Sequence, residues 1–86
     1  MDPAKVREEL RAFIVKALIR DPSYPLRDDE PIITAGLIDS FALAELAVFV
    51  ERQWHVYIPD PDLTVERMDT LDQIVSRVLA GNAGPC

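Results

Sequence analysis

Apolar residues recur along the first twenty positions at intervals of three and four, with charged residues between them. Such spacing places one apolar stripe along a helix of about five turns. Asp2 and Pro3 predict its start, since an aspartate caps free N–H groups and proline fits the first turn. We expect the helix to end near Arg20, because Pro22 and Pro25 cannot continue it. The predicted stripe comprises Val6, Leu10, Phe13, Ile14, Ala17 and Leu18.

A second helical pattern runs from Asp39 to about Gln53, and either Asp39 or Ser40 can cap it. The residues predicted to face the core are Leu43, Leu46, Ala47, Val50 and Trp54. The opposite face is too apolar for a purely solvent-exposed helix, because it combines charged residues with large apolar ones. These outward residues are Glu45, Arg52, Phe41, Val48 and Phe49.

Residues 21–37 form one long connection between these two helices, punctuated by three prolines and by Gly36. Connections longer than about 12 residues are uncommon in compact domains, and they tend to be functional. Four apolar residues near its end indicate that the connection is attached to the core. They are Ile32, Ile33, Leu37 and Ile38.

The remainder of the chain predicts an extended segment, a short helix and a last long helix. Val56 and Ile58 are expected to point inward from the extended segment. Residues 60–67 can form one or two helical turns, with carboxylates at the start. Thr70 and Gln73 have the spacing of a capping box, which predicts a helix start. The last stripe comprises Leu71, Ile74, Val75, Val78 and Leu79, and Gly81 follows as a terminator.

These elements predict an all-α protein, a small four-helix bundle with three main helices and one short helix. The domain is assigned to residues 1–80, and residues 81–86 are expected to form a flexible tail. A chain of 86 residues has room for one modest core and lacks the size of a two-lobed enzyme. No apolar run reaches the roughly 20 residues of a membrane span. A single cysteine favours a reducing cytoplasm.

The chain is acidic, with a formal net charge of −6 and a pI near 4.5. This balance counts against nucleic-acid binding, which requires a basic surface to neutralise phosphate. Residues 1–27 contain six basic and four acidic side chains, whereas residues 28–86 contain three basic and eleven acidic ones. The negative field therefore comes from the later two-thirds of the chain.

The sequence offers little for catalysis, but it places one serine distinctively. With one histidine, one cysteine and no glycine-rich phosphate loop, the usual metal and nucleotide sites are absent. Ser40 lacks the glycines of a nucleophile elbow, and His55 lies about four helical turns away. Ser40 nevertheless stands at a helix start, where free N–H groups and the helix dipole favour an anion such as phosphate. On spacing alone, a simple cap is the better interpretation of Ser40.

The stretch Gly-Leu-Ile-Asp-Ser-Phe at residues 36–41 resembles the phosphopantetheine attachment motif of the acyl carrier protein family. That motif has the pattern Gly-hydrophobic-hydrophobic-Asp-Ser-hydrophobic. Residues 60–74 also resemble the third helix of the family and the entry to its fourth, so the similarity covers about residues 5–80. Further matches follow in register at Glu45-Leu46, Glu51, Trp54 and Ile58-Pro59-Asp60.

The resemblance implies an acyl-carrier-protein-like four-helix bundle that acts as a carrier and not as an enzyme. A phosphopantetheinyl transferase, using coenzyme A and a divalent metal, would attach 4′-phosphopantetheine to Ser40 Oγ as a phosphodiester. The terminal thiol of this arm would hold an acyl or aminoacyl group as a thioester. Asp39 would pair with a basic residue of the modifying enzyme, which also supplies the activating base.

The resemblance further implies a docking face on the second helix for partners with basic patches. Packing against the third and fourth helices is the alternative for Phe41 and Val48, and simple solvation is the alternative for each acid. Phe49 is either a further contact or an isolated surface aromatic. The candidate contacts are Asp39, Glu45, Glu51, Phe41 and Val48.

Three positions differ from the most acidic fatty-acid carriers: Ala42 replaces an acid, Arg52 interrupts the acidic face, and Phe41 replaces the commoner leucine. These differences favour a discrete carrier of secondary metabolism, or an aminoacyl or peptidyl carrier. We expect a cytoplasmic, monomeric acyl carrier of fatty-acid or polyketide-type biosynthesis, served by acyl- or aminoacyl-activating ligases, synthases and transferases. The alternatives are an aminoacyl or peptidyl carrier of a nonribosomal-peptide-type pathway, and an unmodified helical adaptor that only binds proteins.

Overall fold

The computed structural model describes residues 2–59 and 62–81, and these residues contain four α-helices and no β-strand. The first helix continues into a π-helical segment, and the third is a single turn. The predicted all-α fold, a small bundle of three main helices and one short helix, is confirmed. The helices are α1 (Pro3–Phe13, followed by the π-helical Ile14–Leu18), α2 (Ala42–Trp54), α3 (Val65–Met68) and α4 (Leu71–Ala80).

Helix α1 begins as the sequence predicts. Asp2 Oδ1 accepts the backbone N–H of Ala4 at 3.0 Å, and Pro3 follows it at the helix start. The cap satisfies an N–H group that has no partner within the helix, and proline has no N–H to lose there. Val6 and Leu10, both on the predicted apolar stripe, are buried.

The end of this helix departs from α-helical geometry. The N–H of Ile19 bonds to the carbonyl of Ile14 at 2.8 Å, and the N–H of Asp21 bonds to that of Val15 at 2.8 Å. Because these bonds close wider turns, they rotate the following side chains away from the α-helical period. Val15 is consequently buried and Ala17 is exposed, so the predicted place of Ala17 on the core stripe is wrong.

The long connection after this segment is attached to the core, as predicted. Arg20 adopts a left-handed backbone conformation, with a φ of 65°, and turns the chain away at the predicted end of the helix. Ile33 and Leu37 are half-buried against the core. Three further apolar side chains of the connection are fully buried, namely Leu26, Ile32 and Ile38. The connection therefore has fixed contacts on its way to α2.

Helix α2 begins at Ala42, three residues after the earliest predicted start. It ends at Trp54, and the next residue, His55, has a left-handed φ of 57° and leads into an extended segment. Val56 and Ile58 of that segment are buried, as predicted. The predicted core face of α2 is confirmed, since its five residues are buried or half-buried: Leu43, Leu46, Val50, Ala47 and Trp54.

Helix α4 carries the predicted capping box. Thr70 Oγ1 accepts the N–H of Gln73 at 3.2 Å, and Gln73 Oε1 accepts the N–H of Thr70 at 3.1 Å. Gly81, with a φ of 65°, ends the helix. The predicted stripe is buried at Leu71, Ile74, Val75 and Val78, whereas Leu79 near the end of the helix is exposed.

Helix α3 confirms a short helix in this part of the chain, but it begins only after Thr64, so the prediction that the described Asp62 stands at the start of this helix is wrong. Asp62, just before it, accepts a hydrogen bond from Arg77 Nε at 2.9 Å and lies 3.2 Å from Arg67 Nη1. This ion pair joins the segment before α3 to α4. The predicted carboxylate at residue 60 lies outside the described residues, and so do residues 82–86 of the predicted tail.

Candidate functional site

Ser40 lies in the turn that joins the long connection to α2, and its side chain is exposed. Asp39 Oδ1 and the Asp39 carbonyl both accept the N–H of Ala42, each at 3.1 Å. Asp39 is therefore the side chain that caps α2, and the interpretation of Ser40 as a simple cap is wrong. The Ser40 hydroxyl makes no hydrogen bond with any described residue, so it is available for chemistry.

The backbone around Ser40 determines which N–H groups an anion can reach. The N–H of Leu43 bonds to the Ser40 carbonyl, and the N–H of Ala44 bonds to the Phe41 carbonyl, each at 3.2 Å. The N–H groups of Ser40 and Phe41 themselves have no hydrogen bond with a described residue. The N–H groups that an anion can reach at this site are thus those of Ser40 and Phe41, and not those of the first turn of α2, which are already bonded.

A surface groove of about 690 Å³ opens beside Ser40. Its walls come from the end of the π-helical segment, from the long connection and from the first turn of α2. Asp39 and Phe41, the two neighbours of Ser40, both line the groove, and Arg20 and Glu45 add charge to it. A group attached at Ser40 would therefore border a groove with both apolar and charged walls.

The outer face of α2 (Phe41, Glu45, Val48, Glu51 and Arg52) is solvent-exposed along its length. Glu45 and Glu51 form no ion pair with a described residue, and both side chains are exposed to solvent. Several aspartates elsewhere are instead neutralised by arginines, in the pairs Arg7–Asp28, Arg7–Asp72, Arg11–Asp28, Arg67–Asp62 and Arg77–Asp62. Glu45 and Glu51 are thus among the acids of the described residues that no arginine or lysine neutralises.

Two apolar side chains of this outer face are unusually accessible. Phe41 is 84% exposed and Val48 is 50% exposed. Packing of Phe41 against the third and fourth helices, the alternative considered from the sequence, is therefore wrong. Val48 borders a shallow groove of about 200 Å³ together with Tyr57 and Leu63. The outer face thus offers apolar surface between its acids.

Phe49 belongs to the interior side of the bundle and not to the outer face. Its ring stacks on Phe13, with centroids 4.1 Å apart, and meets the edge of Trp54 at 5.6 Å. The interpretation of Phe49 as an isolated surface aromatic is therefore wrong, and its role as a partner contact stays a prediction, since the ring is half-buried. The pattern missed this contact because Phe13 lies on another helix.

Asp69, in the junction between α3 and α4, holds the connection that leads to Ser40. Its Oδ1 accepts the N–H groups of Ile33 at 2.8 Å and Thr34 at 3.1 Å, and its Oδ2 accepts the Thr34 hydroxyl at 2.7 Å. Partial burial by itself would raise the pKa of Asp69, but the hydrogen bonds from Thr34 and Ile33 outweigh it and lower that pKa. An acid between two helices carries no sequence signal for such a contact.

The structure keeps the two ends of α2 apart. His55 lies at the opposite end of this helix from Ser40, about 20 Å along its axis at 1.5 Å per residue. Among residues 2–59 and 62–81, no cluster of His, Cys, Asp and Glu is placed to hold a metal ion. None of the helices in that part of the chain has both the length and the apolar content that crossing a bilayer requires.

Comparison with known proteins adds no family assignment. No protein-family model matches the chain, and no curated protein matches its sequence. The function of the site must therefore be argued from the residues around Ser40 and on the outer face of α2.

Proposed function

We propose that this protein is a phosphopantetheine-dependent acyl carrier protein, with Ser40 as its attachment site. The observation that carries the proposal is the exposed Ser40 hydroxyl, unbonded to any described residue, within the Gly36–Phe41 sequence directly ahead of α2. Asp39 caps α2, so modification of Ser40 would leave the helix cap in place. The small helical bundle supplies a stable platform for such a serine.

The surroundings of Ser40 suit a phosphodiester. The N–H groups of Ser40 and Phe41 are free to donate to phosphate oxygens, and the dipole of α2 favours negative charge there. The groove lined by the two neighbours of Ser40, Asp39 and Phe41, would receive the pantetheine portion. When bound, the arm would supply a terminal thiol that holds the cargo as a thioester.

The chain's own contribution to attachment is one hydroxyl. Ser40 Oγ would form a bond to the phosphorus nearest the pantetheine in coenzyme A, while the bond from that phosphorus to the adenosine bisphosphate portion breaks. The hydroxyl proton would pass to a base of the transferase, and adenosine bisphosphate would leave with the bonding electrons. A base supplied by the transferase is consistent with this site, because the single histidine of the chain lies at the far end of α2 from Ser40.

The outer face of α2 would be the docking surface for the transferase and for later partners. Glu45 and Glu51 present negative charge that favours basic patches, and exposed charge of this kind mainly speeds and orients encounter. Phe41 and Val48 add apolar contact area. Arg52 interrupts the acidic surface, and this supports partners specialised for this carrier.

The attachment experiment uses the full chain with coenzyme A, magnesium ions and a broad-specificity phosphopantetheinyl transferase, followed by intact mass. The wild type should gain one phosphopantetheine, and Ser40→Ala should gain none. Ser76→Ala is the matched control, because Ser76 is an exposed serine within α4, and it should be modified like the wild type. An unmodified wild type, or equal modification of Ser40→Ala, would contradict the proposal and favour the unmodified adaptor.

The identity of the group loaded onto the arm distinguishes an acyl carrier from an aminoacyl or peptidyl carrier. The modified protein would be incubated with ATP and either acyl-activating or amino-acid-activating ligases, and the loaded mass would identify the cargo. We propose acyl cargo of fatty-acid or polyketide-type biosynthesis. Loading by amino-acid-activating enzymes alone would replace that proposal with a carrier of a nonribosomal-peptide-type pathway.

A further inference from the structure

The contacts of Asp69 extend along the backbone toward Ser40. The Asp69 carbonyl accepts the N–H of Ile32 at 2.7 Å, in addition to the three bonds that its carboxylate accepts from Ile33 and Thr34. Asp69 thus holds three consecutive residues of the connection, at a separation of at least 35 positions in sequence. Bonds to a carboxylate are charge-assisted, which makes them stronger than bonds between neutral groups.

Ile32 in turn organises the segment that immediately precedes the serine. Its carbonyl accepts the N–H groups of Leu37 and Ile38, each at 3.0 Å, and its side chain is completely buried. Within this closed turn, Gly36 adopts a φ of 84°, a conformation that L side chains rarely take. Ile38 is followed directly by Asp39 and Ser40. Hydrogen bonds therefore lead from Asp69 through Ile32 to Leu37 and Ile38, and the chain itself continues from Ile38 to Asp39 and Ser40.

The other side of Asp69 is fixed by α4. The Asp69 N–H donates to Gln73 Oε1 at 2.9 Å, and Gln73 Nε2 donates to the carbonyl of Glu66 at 3.0 Å. The same Gln73 forms the capping box at the start of α4. Gln73 thus bonds both to Asp69 and to the carbonyl of Glu66, which fixes Asp69 between α3 and α4. The carboxylate of Asp69, fixed in this way, bonds to the connection at Ile33 and Thr34.

We propose that Asp69 is a positioning residue for Ser40, which fixes the turn of residues 32–38 and thereby the place of the serine hydroxyl. This inference rests on the proposed function, because positioning matters when the Ser40 hydroxyl must reach the phosphorus of coenzyme A held by a partner enzyme. Asp69 itself acts at a distance, through Ile32 and the turn. A group-transfer reaction is sensitive to such placement, since an error of about 1 Å can cost about a hundredfold in rate.

The test compares three variants of the full chain. Asp69→Ala removes all three carboxylate bonds, whereas Asp69→Asn keeps an oxygen that can accept the N–H groups of Ile33 and Thr34. Asp21→Ala is the matched control, because the Asp21 carboxylate also accepts one backbone N–H and one hydroxyl, those of Ser23, within the same connection. Circular dichroism would verify helix content, and Thr34→Val would replace Asp69→Ala if the latter fails to fold.

The first readout is amide hydrogen exchange of the unmodified protein, which does not depend on the proposed function. Exchange of the Leu37 and Ile38 amides should be about tenfold faster in Asp69→Ala than in the wild type, because their turn loses its anchor. Asp69→Asn should lie between the wild type and Asp69→Ala, and Asp21→Ala should leave both amides unchanged. Unchanged exchange at Leu37 and Ile38 in Asp69→Ala would overturn the inference.

The second readout is the rate of phosphopantetheine transfer. In Asp69→Ala we expect kcat to fall about tenfold while KM changes little, because the outer face of α2 that docks the partner is intact. Asp69→Asn should restore most of the rate. Equal loss in Asp21→Ala, or a rise of KM alone, would overturn the positioning role. If the wild type is not modified, the proposed function fails, while the exchange result still decides whether Asp69 fixes the turn.

Discussion

The rings of Phe13 and Phe49 stack nearly parallel, with centroids 4.1 Å apart and an angle of 13° between their planes. Phe13 is the last residue of α1, and Phe49 lies in the middle of α2. The contact therefore packs α2 against the end of α1, at the point where the first helix changes to π-helical geometry. Trp54 makes a T-shaped contact with Phe49, with ring centroids 5.6 Å apart.

Phe49→Ala should lower the free energy of unfolding by about 2 kcal/mol, the sum of lost apolar burial and lost ring contacts at a half-buried site. Urea denaturation followed by circular dichroism would measure this change. Phe41→Ala is the matched control, because Phe41 precedes the same helix but is 84% exposed. Its effect should stay within about 0.5 kcal/mol. Equal losses for both variants would contradict the assignment of Phe49 to the interior.

A second prediction concerns the ion pairs that join α1 to the rest of the bundle. Arg7 contacts Asp28 in the long connection, with 3.4 Å between Nη1 and Oδ2, and also pairs with Asp72 in α4. Arg7→Met should lower the free energy of unfolding by less than about 1 kcal/mol at low salt, because these side chains are partly exposed. Screening should shrink this loss at high ionic strength.

Lys5→Met is the control for Arg7→Met, since Lys5 is exposed on the same helix and has no ion pair with a described residue. Urea denaturation at two salt concentrations would measure both variants. A loss for Arg7→Met that does not change with salt would show that packing of its side chain matters, and not its charge.

The sequence predicts the helix boundaries that depend on neighbouring residues. Asp2 with Pro3, Thr70 with Gln73, and Gly81 each act within one helical turn, so their local pattern is sufficient. The inward face of α2 is equally local, because it follows a single α-helical period. The same period failed after Phe13, where the π-helical segment exposes Ala17.

Contacts between residues far apart in the sequence could not be predicted from the local pattern of apolar and polar residues. Asp69 resembles any solvated acid, and its bonds to Ile33 and Thr34 arise only when α3 and α4 meet the long connection. Ser40 and Asp39 show the same limit at short range, because either side chain suits a helix start. The structure resolves that choice through the bond from the Ala42 N–H to Asp39, and this leaves Ser40 available.

Lowering the pH should weaken the hydrogen bonds that the Asp69 carboxylate accepts from Ile33 and Thr34. Burial is the largest single effect and would raise its pKa, but the hydrogen bonds from Thr34 and Ile33 together outweigh burial, so the pKa of Asp69 in the folded protein is lowered. The resulting stabilisation is complete well above the unfolded-state pKa of about 3.9 and is lost as the pH falls through the lower folded-state value.

The wild type should therefore exceed Asp69→Asn in the free energy of unfolding by about 1 kcal/mol near neutral pH, because the carboxylate makes stronger hydrogen bonds than an amide. This difference should shrink at about pH 3, where the carboxylate becomes protonated in the unfolded state. Urea denaturation of both proteins at the two pH values would measure it. A constant difference would mean that the charge of Asp69 does not contribute to the contact.

The last prediction concerns the outer face of α2 as a docking surface. Glu45→Lys should raise KM for the transferase about tenfold at low salt and leave kcat nearly unchanged, because it reverses a charge that favours a basic partner. The effect should diminish at high ionic strength. Val48→Asp should also raise KM, through loss of apolar contact area, but with weaker salt dependence.

Glu8→Lys makes the same charge reversal at an exposed position of α1, away from the outer face of α2. If docking depends on that face, Glu8→Lys should change KM much less than Glu45→Lys, although both alter the net charge of the protein equally. Equal effects would mean that overall charge governs encounter. Loss of helix in the circular dichroism of Glu45→Lys would instead assign this side chain a structural role, against its exposed position in the fold. The two reversals therefore separate a local docking surface from a general attraction between an acidic carrier and a basic enzyme.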